Sequence, residues 1–337
     1  MNDTPDLFEW AAEQERIAKQ KCSPAEAASP TLTAAEELSG TTMLIDAFSQ
    51  IFRSFYAIRQ LNNKRGEPVN ALYLMTKMLL QLERDYTCSY GALLFDCGKV
   101  KFRLELHPEY KSNRPPMPED LKSQMPAIEE MSSAFGWPLL RAENYEADDL
   151  IGGFAQKITS GVLIVTSDKD LSSLVNDHVN LLKPARSGGG FQKCGIDEVV
   201  RDFGVVPELI PDYLALLGDN VDNINGVPGI GPKSAVELLN KFGAVDSWYS
   251  PDGSEKFADS KFASKLAGKR ELLKRNLGLT RLKCDLPEEF SDISRTLTKK
   301  QPDWQKIADI CADNDFKSLL KEIPAEPRIP GNEDELF

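Results

Sequence analysis

Histidine is almost missing from this chain, which has two in 337 residues, His107 and His178. That scarcity argues against an imidazole-built metal centre and against a His-dependent nucleophilic triad. The six cysteines (Cys22, Cys88, Cys97, Cys194, Cys284 and Cys311) lie scattered, with no C-x-x-C pair. Neither a zinc module nor a disulfide framework is written there, and the six read as reduced thiols of a cytosolic protein. No apolar run approaches the ~20 residues of a membrane span. The polar, acidic start carries no secretory signal pattern, and no solenoid-type period is apparent. What remains is an ordinary soluble composition, 41% apolar and 27% charged, with length for about two domains.

Net positive charge is missing too, since the chain carries −12. Its distribution matters more than its sum. Residues 1–40 hold eight acids against Arg16, Lys19 and Lys21, and residues 323–337 hold four against Arg328, leaving the body only −4. If several of the body's acids share one metal cleft, the rest of its surface is net basic, and nucleic acid stays open as a partner.

Residues 1–40 contain one short helical pattern (Leu7 to Lys19) and then an Ala-, Ser-, Thr- and Pro-rich stretch, read as a flexible acidic arm. The folded body begins at "TTMLIDAF", an apolar strand ending in Asp46. "YGALLFDCG" ends the same way in Asp96, and "GVLIVTSDKD" in Asp168 and Asp170. Helical patterns such as "NALYLMTKMLLQLERD" separate them, which indicates a parallel α/β sheet flanked by helices. From about Val206 the pattern turns helical and turn-rich. The expected division is 41–205 for the sheet domain, 206–322 for a helical second domain and 323–337 for an acidic tail.

Ligands of parallel sheets sit beyond the C-terminal strand ends, where these four aspartates fall. One such Asp is usually a helix cap; three strands ending alike suggest a shared site. Two clusters could join it. "YEADDL" places Glu146, Asp148 and Asp149 at a helix start, and "LLGDNVDN" offers Asp219 and Asp222 at i, i+3. Nine carboxylates in one cleft would take up protons unless cations met them. Oxygen-only donors select Mg²⁺ or Mn²⁺, and the usual use of so many is two-metal hydrolysis of phosphodiesters.

Two further stretches suit a phosphate polymer. Residues 97–125 supply Lys99, Lys101, Arg103, Lys111, Arg114 and Lys122 with Phe102 and Tyr110, while Pro115, Pro116 and Pro118 forbid a continuous helix. Read as a mobile connection, this suits single-stranded nucleic acid, though it could equally be a solvated loop. "GVPGIGPKSAVELLNKFG" is a helix–hairpin–helix signature: Gly229 and Gly231 admit a phosphate, helix-opening amides around Ser234 donate to it, and Lys233 adds charge.

In this order these segments, with "LIDAFSQIFRSFYA", "RGEPVNALY", "FDCGKVKFR", "YKSNRPPMPEDLKSQM" and the closing "DFKSLLKEI", resemble the 5′-nuclease domain at the N-terminus of bacterial DNA polymerase I and its flap endonuclease relatives. The likeness covers roughly residues 42–322. It implies a PIN-like parallel sheet with a C-terminal helix–hairpin–helix (helix-three-turn-helix) subdomain, and an arch over about 97–125 that threads a 5′ single strand. By position it implies two or more Mg²⁺ or Mn²⁺ ions on Asp46, Asp96, Glu146, Asp148, Asp149, Asp168, Asp170, Asp219 and Asp222. It assigns phosphate contact to Arg53, Lys111 and Arg114 beside Tyr56 and Tyr110, and a K⁺ ion to backbone carbonyls of the hairpin. Ala47 stands where relatives usually have glycine.

The implied activity is 5′–3′ exonuclease and 5′-flap endonuclease action on DNA near single-strand/duplex junctions, leaving 5′-phosphate and 3′-hydroxyl. With no polymerase segment following Phe337, a standalone monomeric enzyme is expected, cytoplasmic and nucleoid-associated. It would serve primer removal and repair, with RNA-primed duplex as a further substrate. The terminal "NEDELF" resembles peptides that enter the sliding clamp's pocket through a pair such as Leu336 and Phe337, and "PDLFEW" shares the Leu-Phe pair. An ordinary tail with two chance apolar residues reads equally well. The competing readings are a catalytically weak DNA-binding or clamp-recruitment protein, which the intact acid set argues against, and a ribonuclease, which the hairpin argues against.

Overall fold

Five consecutive buried residues, Thr42–Asp46, form the strand at the centre of the molecule. Burial on both faces is what a parallel strand between two helix layers experiences. The computed structural model describes residues 38, 40–185, 190–249 and 255–324. Six strands make its main sheet: β1 (Thr42–Asp46), β2 (Tyr90–Leu94), β3 (Leu139–Leu140), β4 (Val162–Val165), β5 (Val179–Pro184) and β6 (Phe191–Cys194). Their spatial order is β3-β2-β1-β4-β5-β6. The first five run parallel and β6 pairs antiparallel with β5, so the sheet is mixed rather than purely parallel. The two-residue β3 and the half-exposed β6 are too short to leave an apolar run in the sequence.

Along β1, Met43 and Ile45 enter one core while Leu44 enters the other. The first core is covered by α1 (Ala47–Ala57), α2 (Asn70–Asp85) and, beyond the short α3 (Lys101–Leu106), by α4 (Met125–Ala134). These contribute Ile51, Leu72, Met75, Ile128 and Met131. The second is covered by α5 (Ala147–Lys157) through Leu150, Ile151 and Phe154. The helical region continues it with α6 (Ile196–Phe203), α7 (Ile210–Leu217), α8 (Pro232–Phe242) and α9 (Arg270–Thr280). Buried Leu38 belongs to this core as well, so the folded body starts inside the stretch read as a flexible arm. The rest of that stretch, residues 1–37 and 39, lies outside the described residues, as does the tail from 325.

The chain then returns to the first domain. Thr298 bridges Tyr90, and the Lys299 N–H donates to the Ser89 carbonyl at 2.9 Å. Next, α10 (Trp304–Asp313) buries Ile307 and Cys311 against the α2/α4 side, with Trp304 edge-on to Phe135 at 5.9 Å. Each such side chain contributes about 1.5–3 kcal/mol. Residues 298–320 of the expected 206–322 helical region therefore pack on the sheet domain. An amphipathic pattern says that a face is buried, not against which partner.

Strand order reverses between β1 and β4, and the crevice there opens at the C-terminal strand ends. Facing it, a two-stranded hairpin, β7 (Gly218–Asp219) with β8 (Ile224–Asn225), leads from α7 towards the turn before α8. Gly218 has φ +76°, and a side chain there would collide with the backbone of residues 224–226. Glycine alone closes this hairpin.

Candidate active site

The strand-end acids do two jobs. Asp46 caps α1, accepting the Ser49 N–H at 3.2 Å, and its other oxygen accepts from the Thr166 hydroxyl at 2.8 Å. Asp96 caps α5 from outside that helix, accepting the Ala147 N–H at 2.8 Å. Asp168 accepts the Asp170 N–H at 2.8 Å, and its own N–H returns to Thr166 at 2.8 Å. Asp46 and Asp96 thus act as helix caps, while Asp168 and Asp170 line the crevice.

Charge crowding follows. Burial first, and then Asp96 and Asp170, push Asp46 up to about 6 against the Thr166 hydrogen bond. Asp96 is raised by burial, with Lys111 opposing and Glu146 adding. Asp148 is raised furthest: burial leads, and Asp168, Asp46, Asp170 and Asp96 all push the same way. These five acids form the repelling heart of the site. Among the described residues no three acid, His or Cys side chains converge closely enough to form a metal cage. The donor set fits hard divalent ions, being all oxygen and anionic, and no His or Cys is among the described residues lining the crevice.

The remaining four acids behave differently. Glu146 accepts from Lys111 at 2.8 Å and lies 3.2 Å from Arg103. Burial opposes its ionisation, but those two cations hold it below the ordinary range. Asp222 accepts from Arg114 at 2.5 Å and from the Tyr110 hydroxyl at 3.1 Å. Burial works against the charges of Lys111 and Arg114, yet the carboxylates win and both are raised. Asp219 pairs with buried Lys169 at 3.0 Å.

Asp149 corrects the nine-ligand expectation. Both of its oxygens accept from Arg103 at 2.6 Å; one also takes the Lys283 N–H at 2.8 Å, the other the Glu146 N–H at 3.3 Å. Fully buried and so engaged, it closes the turn opening α5 and offers the crevice no lone pair. Arg103 is corrected with it: at 2% exposure it is a buried partner of Asp149 and cannot contact DNA.

Within the arch segment, residues 107–114 are held by hydrogen bonds to a neighbouring loop. The Lys111 N–H donates to the Asp222 carbonyl at 3.1 Å, and the Asn113 amide to the Asn220 carbonyl at 2.6 Å. Residues 107–114 therefore lie fastened on the loop carrying Asp219 and Asp222. Lys111, Arg114 and Tyr110 line the crevice with Glu146, Asp148, Asp168, Asp170, Asp219 and Asp222. Arg53 and Tyr56 do not line it; they sit farther along α1, Arg53 exposed and Tyr56 stacked on Phe52 at 6.5 Å. In the hairpin before α8, Gly229 adopts φ +80° and Gly231 is the residue before the helix, with Lys233 exposed and Ser234 half-buried. The Gly229 carbonyl accepts from Lys265 at 2.7 Å.

Sequence reasoning missed Thr166, Lys169 and Asn223. Lys169 had a signal, a lone cation between two acids in "TSDKD". Thr166 and Asn223 had none, because their roles depend on segments far away in the chain.

A family model described as "5′-3′ exonuclease, N-terminal resolvase-like domain" matches residues 41–204, and its companion, "5′-3′ exonuclease, C-terminal SAM fold", matches 205–304. The chain belongs to the 5′-3′ exonuclease family. A 5′-3′ exonuclease of Aquifex aeolicus is 37% identical over 286 residues, covering 84% of this chain and 95% of that protein. DNA polymerase I of Pseudomonas aeruginosa is 42% identical over 204 residues, 60% of this chain but 22% of the polymerase. Among solved structures, T5 D15 protein co-crystallised with metal ions matches with a TM-score of 0.59 at 22% identity, over 82% of this chain and all of that one. That likeness speaks for the fold.

Proposed function

We propose that this 5′-nuclease hydrolyses DNA phosphodiesters at the junction of a 5′ single strand with duplex, using two or more Mg²⁺ or Mn²⁺ ions. The observation that carries the reading is a crevice lined by Glu146, Asp148, Asp168, Asp170, Asp219 and Asp222 beside Lys111 and Arg114, in which Asp148 is raised by burial and its like-charged neighbours. Such a cluster is a poor structural element and a good cation sink. Asp46, Asp96, Asp148, Asp168 and Asp170 would hold the ions, with Glu146, Asp219 and Asp222 completing the shell. When bound, the ions supply Lewis-acid activation of water and of the leaving oxygen. The chain's own part is to place the phosphate. Lys111 and Arg114 carry cationic charge on the crevice lining beside the acids, and turning it to a bound phosphate would stabilise the charge that builds there. Arg53 and Tyr56 would guide the strand along α1, and the hairpin at Gly229–Ser234 would hold duplex backbone. A K⁺ ion at the hairpin carbonyls belongs to the same proposal, sharing the Gly229 carbonyl's surroundings with the Lys265 ammonium.

The test is a labelled set of substrates, a DNA flap, an RNA-primed duplex and free RNA, assayed with and without Mg²⁺. Cleavage of the first two and not the third, only with the ion, is the expected outcome. Asp148→Ala should abolish cleavage while flap binding changes less than about twofold. Full cleavage by that variant at saturating Mg²⁺ would remove Asp148 from the site.

A further inference from the structure

Among the described residues, Lys111 at φ +54° and Asn223 at φ +58° are two of four non-glycine residues in the left-handed backbone region, and they lie on adjoining loops. A lysine there is held against its own preference, so something must hold it. The contacts identify what does. The Asn223 side-chain amide donates to the Glu109 carbonyl at 2.9 Å and to the Ser112 hydroxyl at 3.3 Å, one contact on each side of Lys111. The Asn223 carbonyl meets His107 Nε2 at 2.9 Å, so that nitrogen carries the proton. Next door, the Asp222 carbonyl takes the Lys111 N–H at 3.1 Å.

We propose that Asn223 is the positioning residue that welds the Lys111 loop to the Asp219–Asp222 loop, so that cationic and acidic halves of the site move as one body. Asparagine suits both demands, because it tolerates the left-handed conformation better than other side chains and brings a two-proton donor. Through it, the distance from the Lys111 ammonium to Glu146, 2.8 Å here, is set by the same loop that carries Asp222. This role rests on the nuclease reading above.

Asn223→Gly separates the two demands: it keeps the backbone conformation easy and removes the side-chain donor. Single-turnover flap cleavage should slow about tenfold, the loss of roughly one hydrogen-bonded tether, with DNA affinity changed less than about twofold. A double-mutant cycle with Lys111→Ala decides whether Asn223 acts through Lys111: in the Lys111→Ala background, Asn223→Gly should cost almost nothing more. Additive losses would overturn the proposal, as would a Gly variant as fast as the parent. Hydrogen exchange supplies a readout independent of catalysis. Protection of residues 108–113 should fall in Asn223→Gly while the central strands stay unchanged, and unaltered protection would also overturn it. If the parent itself fails to cut any flap, the nuclease reading fails instead, and the exchange result still judges the weld.

Discussion

At the scale of single residues, this site separates acids paired with cations from acids crowded against one another. Asp149 and Arg103 form a buried bidentate pair, so removing the arginine leaves a carboxylate stranded. Arg103→Ala should lose about 3–5 kcal/mol in urea unfolding. Flap affinity measured well below the unfolding transition should stay within about twofold, and a weakened affinity at unchanged stability would restore the DNA-contact role. Lys111 points the other way. Its ammonium sits on Glu146 and near Asp222, where it competes with any divalent ion for the same oxygens. Lys111→Ala should therefore bind Mn²⁺ a few-fold more tightly in calorimetry while cleaving at least tenfold more slowly. Weaker Mn²⁺ binding in the variant would contradict that competition.

At the scale of elements, the strand ends carry the pH response. The fold favours the protonated form of Asp46, because its pKa rises from 3.8 to about 6. Its contribution to stability is thus complete below its ordinary value and is lost as pH rises through about 6. Asp96 and Asp148 are raised as well and act in the same direction. The melting temperature of the ion-free protein should carry a downward component between about pH 4 and 6. Mg²⁺ should offset it, since the ion replaces the proton as partner of the same oxygens. Scanning calorimetry in EDTA and in Mg²⁺, with Asp148→Asn as control, checks this: the ion's stabilising effect should grow with pH in the parent and be blunted in the variant. An equal Mg²⁺ effect at pH 5 and pH 7.5 would refute it.

At the scale of the whole molecule, α10 makes the first and second domains a single chain path. Residues after the helical region return to cover the α2/α4 side, burying Ile307, Cys311, Phe316 and Leu319. Ile307→Ala should cost about 2–5 kcal/mol as a core truncation. The loss should show in the unfolding of the sheet domain, read as strand-amide exchange, and not in the hairpin region alone. Strand amides that keep parental protection would show that α10 is a dispensable cover.

What could be read along the chain was what depends on neighbours in sequence. Strand ends at Asp46, Asp96 and Asp168, the α5 start at "YEADDL" and the hairpin turn at Gly229 each rest on local periodicity, capping chemistry or a glycine conformation. Phosphodiester hydrolysis followed from nine acids beside a helix–hairpin–helix turn, and the 5′-nuclease class from the resemblance. Which acids keep a free face was not readable. Glu146, Asp148 and Asp149 lie within four positions and carry the same charge, yet each meets a different partner. Glu146 meets Lys111, Asp149 meets Arg103, and Asp148 meets the other strand-end aspartates. Those partners come from elsewhere in the chain, and a helix turns its successive side chains about 100° apart. Only the tertiary packing decides which of three neighbouring carboxylates is buried against an arginine and which is set among other acids.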